Sequence, residues 1–131
     1  MQSKALNPWT WQDAAHFSQV VDVTAATRTL FIAGQTSVDE QGRPLHPGDM
    51  TAQLARAFDN LQTALEAADI SLANVVRLNY YVTDMAAFRG ARSVVAERLG
   101  SLSVKPCGCL LGVTSLAHPE LLVEIEATAV A

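Results

Sequence analysis

An apolar stripe beginning at Met50 constrains this chain more than any other feature. Met50, Leu54, Ala57, Phe58, Leu61, Leu65 and Ala68 recur at helical spacing and so share one face of a helix. Arg56, Asp59, Gln62, Thr63 and Glu66 take the remaining surface. Asp49, just ahead of the stripe, is a suitable N-cap, because its carboxylate can accept from free N–H groups of the first turn. A helix this one-sided has to lie on something flat and apolar, most simply a β-sheet.

The strands for that sheet are visible on either side. FSQVVDV at residues 17–23 and TLFIAGQ at 29–35 are β-branched and aromatic, and a turn-rich loop, DEQGRPLHP at 39–47, follows them. VVRLNYYV at 75–82 has the composition of a central strand. Asp84 can cap a second helix, Met85 to Leu99, ended by Gly100, whose buried stripe is Phe88, Ala91, Val95 and Leu99. Pro106 opens a strand over residues 107–113, and LLVEIEATAV at 121–130 forms the last. The predicted order is β-β-α-β-α-β-β: one α+β domain over residues 1–131, a mixed sheet with two helices packed on one face. The uncovered face must meet solvent or a partner, and strands apolar on both faces favour a partner.

With 131 residues, half of them apolar and 17% charged, the chain is too hydrophobic for disorder and long enough for a core of its own. Its formal charge is −4, and its nine basic residues are scattered among thirteen acidic ones. Neutralising phosphates requires clustered Lys and Arg, so nucleic acid is not an expected partner. The N-terminal segment has no apolar stretch of signal-peptide length, and no apolar run approaches the ~20 residues needed to span a bilayer. Cys107 and Cys109, two apart on a strand, sit ~6.5–7 Å apart along the chain, which is awkward for a disulfide. These features predict a soluble, cytoplasmic protein without membrane partners.

Few residues carry chemistry. Glu124 and Glu126 share one strand face, either as a solvated edge or as an acid/base pair perturbed by apolar neighbours. Cys107 and Cys109 have no nearby His or Cys to complete a zinc site and no visible base, and read as small reduced core residues. His46 and His118 each precede a proline and read as turn residues, while His16 adjoins the first strand. Trp9 and Trp11 read as packing anchors for the N-terminal segment or as a ligand-stacking pair. No phosphate loop, dinucleotide fingerprint or nucleophile elbow is present. No metal or cofactor is expected.

The element order, the AGQ at Ala33–Gln35, the stretch VVRLNYYVTDMAAF after the amphipathic helix, and the terminal EIEATAV together resemble the RidA/YjgF family of reactive-intermediate deaminases. The resemblance spans essentially the whole chain. It implies a chorismate-mutase-like fold and a homotrimer, with sheets forming a central barrel, helices outside and three ligand clefts between subunits. Active members hydrolyse enamine or imine products to a ketoacid and ammonia. The family's arginine, two residues after the strand proline, grips the substrate carboxylate. Here Pro106 is followed by Cys107 and then Gly108, so that arginine is missing. The family's aromatic hydroxyl corresponds to Phe17, its small hydroxyl before GQ to Ala33, its helix asparagine to Arg92 and its cleft cysteine to Leu110. Its water-positioning glutamate is retained as Glu124.

The resemblance thus implies a divergent deaminase-like hydrolase acting through Glu124 on a small imine, enamine or related reactive metabolite, weak on ordinary 2-imino acids. The other reading is a trimer that binds a small metabolite without turnover. Arg92 is either a substitute for the missing cation, reaching the carboxylate from the opposite wall, or a solvated helix arginine.

Overall fold

The computed structural model describes residues 1–131. Strands β1 (Gln2–Leu6) and β2 (Val20–Thr24) form an antiparallel pair joined through a short helical turn at Trp11–Ala15. Strand β3 (Thr29–Thr36) leads to helix α1 (Met50–Glu66), strand β4 (Val75–Val82), helices α2 (Met85–Gly90) and α3 (Arg92–Leu99), and strands β5 (Leu110–Gly112) and β6 (Val123–Val130). The main sheet is mixed, in the order β3-β6-β4-β5; β6 is antiparallel to both neighbours, and β4 and β5 run parallel.

Helix α1 lies on this sheet as its stripe requires. The Asp49 carboxylate accepts from the Ala52 N–H, and Met50, Leu54, Ala57, Phe58, Leu61 and Leu65 are buried. They meet Val75, Leu78 and Val82 of β4 and Val123, Ile125, Ala127 and Ala129 of β6 in one core. Burying a side chain of this kind is worth roughly 1.5–3 kcal/mol, so the stripe supplies on the order of 10 kcal/mol before chain entropy is counted.

Several details depart from the sequence reading, among them the strand expected over 17–23, which spans Val20–Thr24. The N-terminal strand β1 was not expected; its five residues are too few for a clear alternation. The second helix is broken at Ala91 (φ −103°, ψ 8°), just after Gly90, a weak helix former. Its expected stripe of Phe88, Ala91, Val95 and Leu99 is nonetheless buried. The strand at 107–113 shortens to β5 with an isolated bridge between Arg77 and Cys107. The last strand begins at Val123 because the Leu121 N–H turns back to the His118 carbonyl and the Leu122 N–H donates to the Gln53 side chain. No helix is long and apolar enough to cross a membrane.

Candidate functional site

The parity of β6 divides the acidic residues from the core. Val123, Ile125 and Ala127 face the helices, so Glu124 and Glu126 project from the opposite face. On β4, Tyr81 pairs with Glu124 and Asn79 with Glu126, and both lie on that same open face. Glu126 is engaged there: the Tyr81 hydroxyl and the Asn79 amide both donate to its Oε1. That bond, together with the carboxylate's charge, raises the Tyr81 phenol above its ordinary range. Glu124 has no hydrogen-bond partner within the chain. Its carboxylate occupies space that only a glycine leaves open, because a Cβ on Gly34 would stand 1.9 Å from Glu124 Oε1. Gly34 lies in an irregularity of the β3–β6 ladder between Ile32 and Gln35. The AGQ motif is thus the seat of the free carboxylate.

A second group of residues gathers on the helix side. A cavity of about 600 Å³ opens between β4, the β5 edge, helices α2 and α3 and the segment before β2, lined mainly by apolar residues. Phe17, Arg92, Gly108 and Leu110 all line it. Phe17 is held there because the neighbouring Ser18 is buried, its hydroxyl donating to the Lys105 carbonyl at 2.6 Å and its N–H to the Pro106 carbonyl at 3.1 Å. The β5 edge is held by the Leu78 and Tyr80 N–H groups, which donate to the Cys107 and Cys109 carbonyls, and by the Asn79 side chain, which accepts from the Cys109 N–H. Gly108 is pinched in this pairing: a Cβ there would lie 1.9 Å from the Leu78 carbonyl oxygen.

Four of the five expected cleft residues therefore meet in one cavity. Ala33 is not among its lining residues, and neither is Glu124, which points from the other face of the sheet. Trp9 and Trp11 are 58% and 65% exposed, so they do not anchor the segment by burial; Trp11 instead meets Phe17 edge-on at 5.6 Å. Cys107 and Cys109 are free thiols, the first half-buried with its thiol toward the Val76 carbonyl and the second exposed.

Residue-by-residue reading missed Arg89, Tyr80 and Gly34. Arg89, near the end of α2, and Arg92, at the start of α3, lie either side of the break at Ala91, and both line the same cavity. Tyr80 and Tyr81 are adjacent and so face opposite sides of β4, the first toward the cavity. Burial drives the Tyr80 phenol far above its usual range.

A mixed sheet with helices on one face, a carboxylate seated on a glycine and an apolar cavity beside the strand proline define a class of small α+β proteins. A family model described as Endoribonuclease L-PSP matches residues 10–131. This chain belongs to that family, the RidA/YjgF proteins, and has its chorismate-mutase-like fold. A RutC family protein of Pyrococcus horikoshii is 36% identical over 100 residues, covering 76% of this chain and 77% of its own. The mouse protein named 2-iminobutanoate/2-iminopropanoate deaminase is 33% identical over 115 residues, 87% of this chain and 80% of its own. Among solved structures, the Rid-family protein YyfB of Yersinia pestis superimposes with a TM-score of 0.89 at 32% identity, covering all of both chains. A YjgF-family protein of Mycobacterium tuberculosis gives 0.66 at 30%, covering 99% of this chain and 100% of its own.

Proposed function

We propose that this protein is a RidA-type hydrolase that converts a small imine or enamine into a carbonyl compound and ammonia. The observation that carries the reading is the contrast between the two glutamates: Glu126 is occupied by Tyr81 and Asn79, while Glu124 is held over Gly34 with its carboxylate unclaimed. A carboxylate so placed can orient a water and take its proton as oxygen attacks the C=N carbon. The proton passes to nitrogen, the carbinolamine collapses, and ammonia leaves. The family relationship to a protein named as an imine deaminase supports the same chemistry.

We further propose that the working form is a homotrimer, in which the Glu124 face of one protomer completes the cavity of the next. Two observations support it. The sheet separates Glu124 and Ala33 from the cavity within a single chain. Large apolar side chains are also left in water: Phe31 is 84% exposed, and Val20 and Leu111 are each 48% exposed. Light scattering should give a mass well above the 14.0 kDa chain, and a stable monomer at micromolar concentration would overturn the assembly.

Imines generated in situ by an amino-acid dehydratase or oxidase, with ketoacid release followed, test the chemistry. Glu124→Gln should lower the rate by about 10²-fold or more while the assembly persists. Undiminished turnover in that variant would refute the assignment. The imine of serine or threonine dehydration should be a poor substrate. Its short body leaves most of the cavity of about 600 Å³ unfilled, and each methylene not buried forgoes about 0.8 kcal/mol of binding. The pinched Gly108 favours a second reading, a binding protein without turnover, and failure to hydrolyse any imine in a broad panel would select it.

A further inference from the structure

The charges lining the cavity are all of one sign. Arg89 and Arg92 contribute to it, and no Asp or Glu does, in a chain whose net charge is −4. Both arginines are exposed, and neither makes an ion pair or a hydrogen bond within the chain; the salt bridges use Arg43 and Arg98 instead. Arg92 occupies the first position of α3, where the helix dipole disfavours a cation, so its placement does nothing for its own helix. The Tyr80 hydroxyl, on a half-buried ring packed against Phe58 and Phe88, also lacks a partner within the chain and lines the same space. The remaining walls are mostly apolar, with Phe17, Leu78, Phe88 and Leu99 among them. The volume, about 600 Å³, falls in the range that encloses ligands much larger than a three-carbon acid.

We infer that the cavity selects a monocarboxylate with a bulky apolar or aromatic body, its carboxylate gripped from the helix side by Arg89 and Arg92 and its body lying against Phe17, Leu78 and Phe88. Resting on the hydrolase reading above, this names the substrate class as the imine of a large apolar amino acid. The grip differs in origin from one rooted on the strand at position 108. Two guanidinium groups on the helix side stand in for an arginine that the strand geometry excludes. An unpaired carboxylate would lose its hydration on entering such an apolar space, and paired arginines offset that loss. The Tyr80 hydroxyl remains able to donate to a polar atom on the ligand.

The test is a calorimetric titration of the full-length protein with 3-phenylpropanoate, propanoate, 3-phenylpropanamide and inorganic phosphate. Phenylpropanoate should bind, and the other three should bind at least about tenfold more weakly. The double variant Arg89→Gln/Arg92→Gln should lose about tenfold or more of the phenylpropanoate affinity and almost none of the amide's. The titration follows binding and not turnover, so a failure of the catalytic reading remains distinguishable from a failure of this one. No measurable phenylpropanoate binding, equal affinity for propanoate or phosphate, or full affinity in the double variant would each overturn the assignment.

Discussion

Replacing Gln53 by Leu should cost the fold about 2–3 kcal/mol, although Gln53 touches neither Glu124 nor the cavity. The side chain is fully buried on the core side of α1. Its amide donates to the His46 carbonyl at 3.1 Å and the Glu120 carbonyl at 2.8 Å, and its oxygen accepts from the Leu122 N–H at 2.8 Å. It thus ties the loop before α1 and the entrance to β6 to one helix turn. In the Leu variant the Leu122 N–H is orphaned, at a cost of about 1–3 kcal/mol. The two carbonyls belong to exposed residues and keep access to water, so each loses only about 0.5–1 kcal/mol. Burying an apolar group in place of an amide returns roughly 1 kcal/mol. For a chain of this length about 3 °C accompanies each kcal/mol, so the melting temperature should fall by roughly 6–9 °C in calorimetry. Gln53→Glu should fall further, since it keeps the shape but buries an unpaired charge and cannot donate. A Leu variant melting within ~2 °C of the parent would show that the bridge is replaceable and the reasoning wrong.

Other outcomes follow from the same geometry. Gly108→Arg should not restore a family-like site: its Cβ collides with the Leu78 carbonyl, and the overpacking should destabilise the protein by about 1–3 kcal/mol in urea melts, with unaltered stability counting against this. Gly34→Ala should leave stability within about 1 kcal/mol, because the atoms it meets end a flexible side chain, yet lower turnover about 10²-fold by pushing the Glu124 carboxylate aside; retained turnover would dissociate that carboxylate from the chemistry. Alkaline titration by phenolate absorbance should find neither tyrosine ionising at the ordinary value of about 10 while the protein is folded, since burial raises Tyr80 and the bond to Glu126 raises Tyr81. The folded state then holds more protons than the unfolded one, so stability should decline as pH climbs past about 10, and a flat profile there would contradict both shifts.

The elements easiest to read were those whose residues serve packing alone. The stripe from Met50 to Leu65 and the run Val75–Val82 appear in the structure as the sequence pattern predicts, because apolar periodicity and burial are the same constraint seen twice. Elements whose ends are set by side chains of distant segments were not legible. The start of β6 depends on Gln53, a polar residue that pattern reading assigns to no face, and the placement of Phe17 depends on Ser18 reaching Lys105 and Pro106 across the chain. In the site, the resemblance gathered Phe17, Arg92, Gly108 and Leu110 into one cavity. It did not reveal that the position of Gly108 is closed to a side chain in this chain. That closure is a contact between two strands, Cβ against the Leu78 carbonyl, which a one-dimensional pattern does not encode.

A sheet standing between a carboxylate and the cavity it would serve has a genetic consequence. Were each cleft built from two chains, a chain disabled at Glu124 and another disabled at Arg89 and Arg92 would carry lesions in different halves. Unfolded together in equal amounts and reassembled, they would form roughly one cleft in four with both halves intact, since each cleft draws its two faces from different subunits in a head-to-tail ring. Two alleles silent alone would then support activity in one cell, whereas two lesions in the same half would never repair each other.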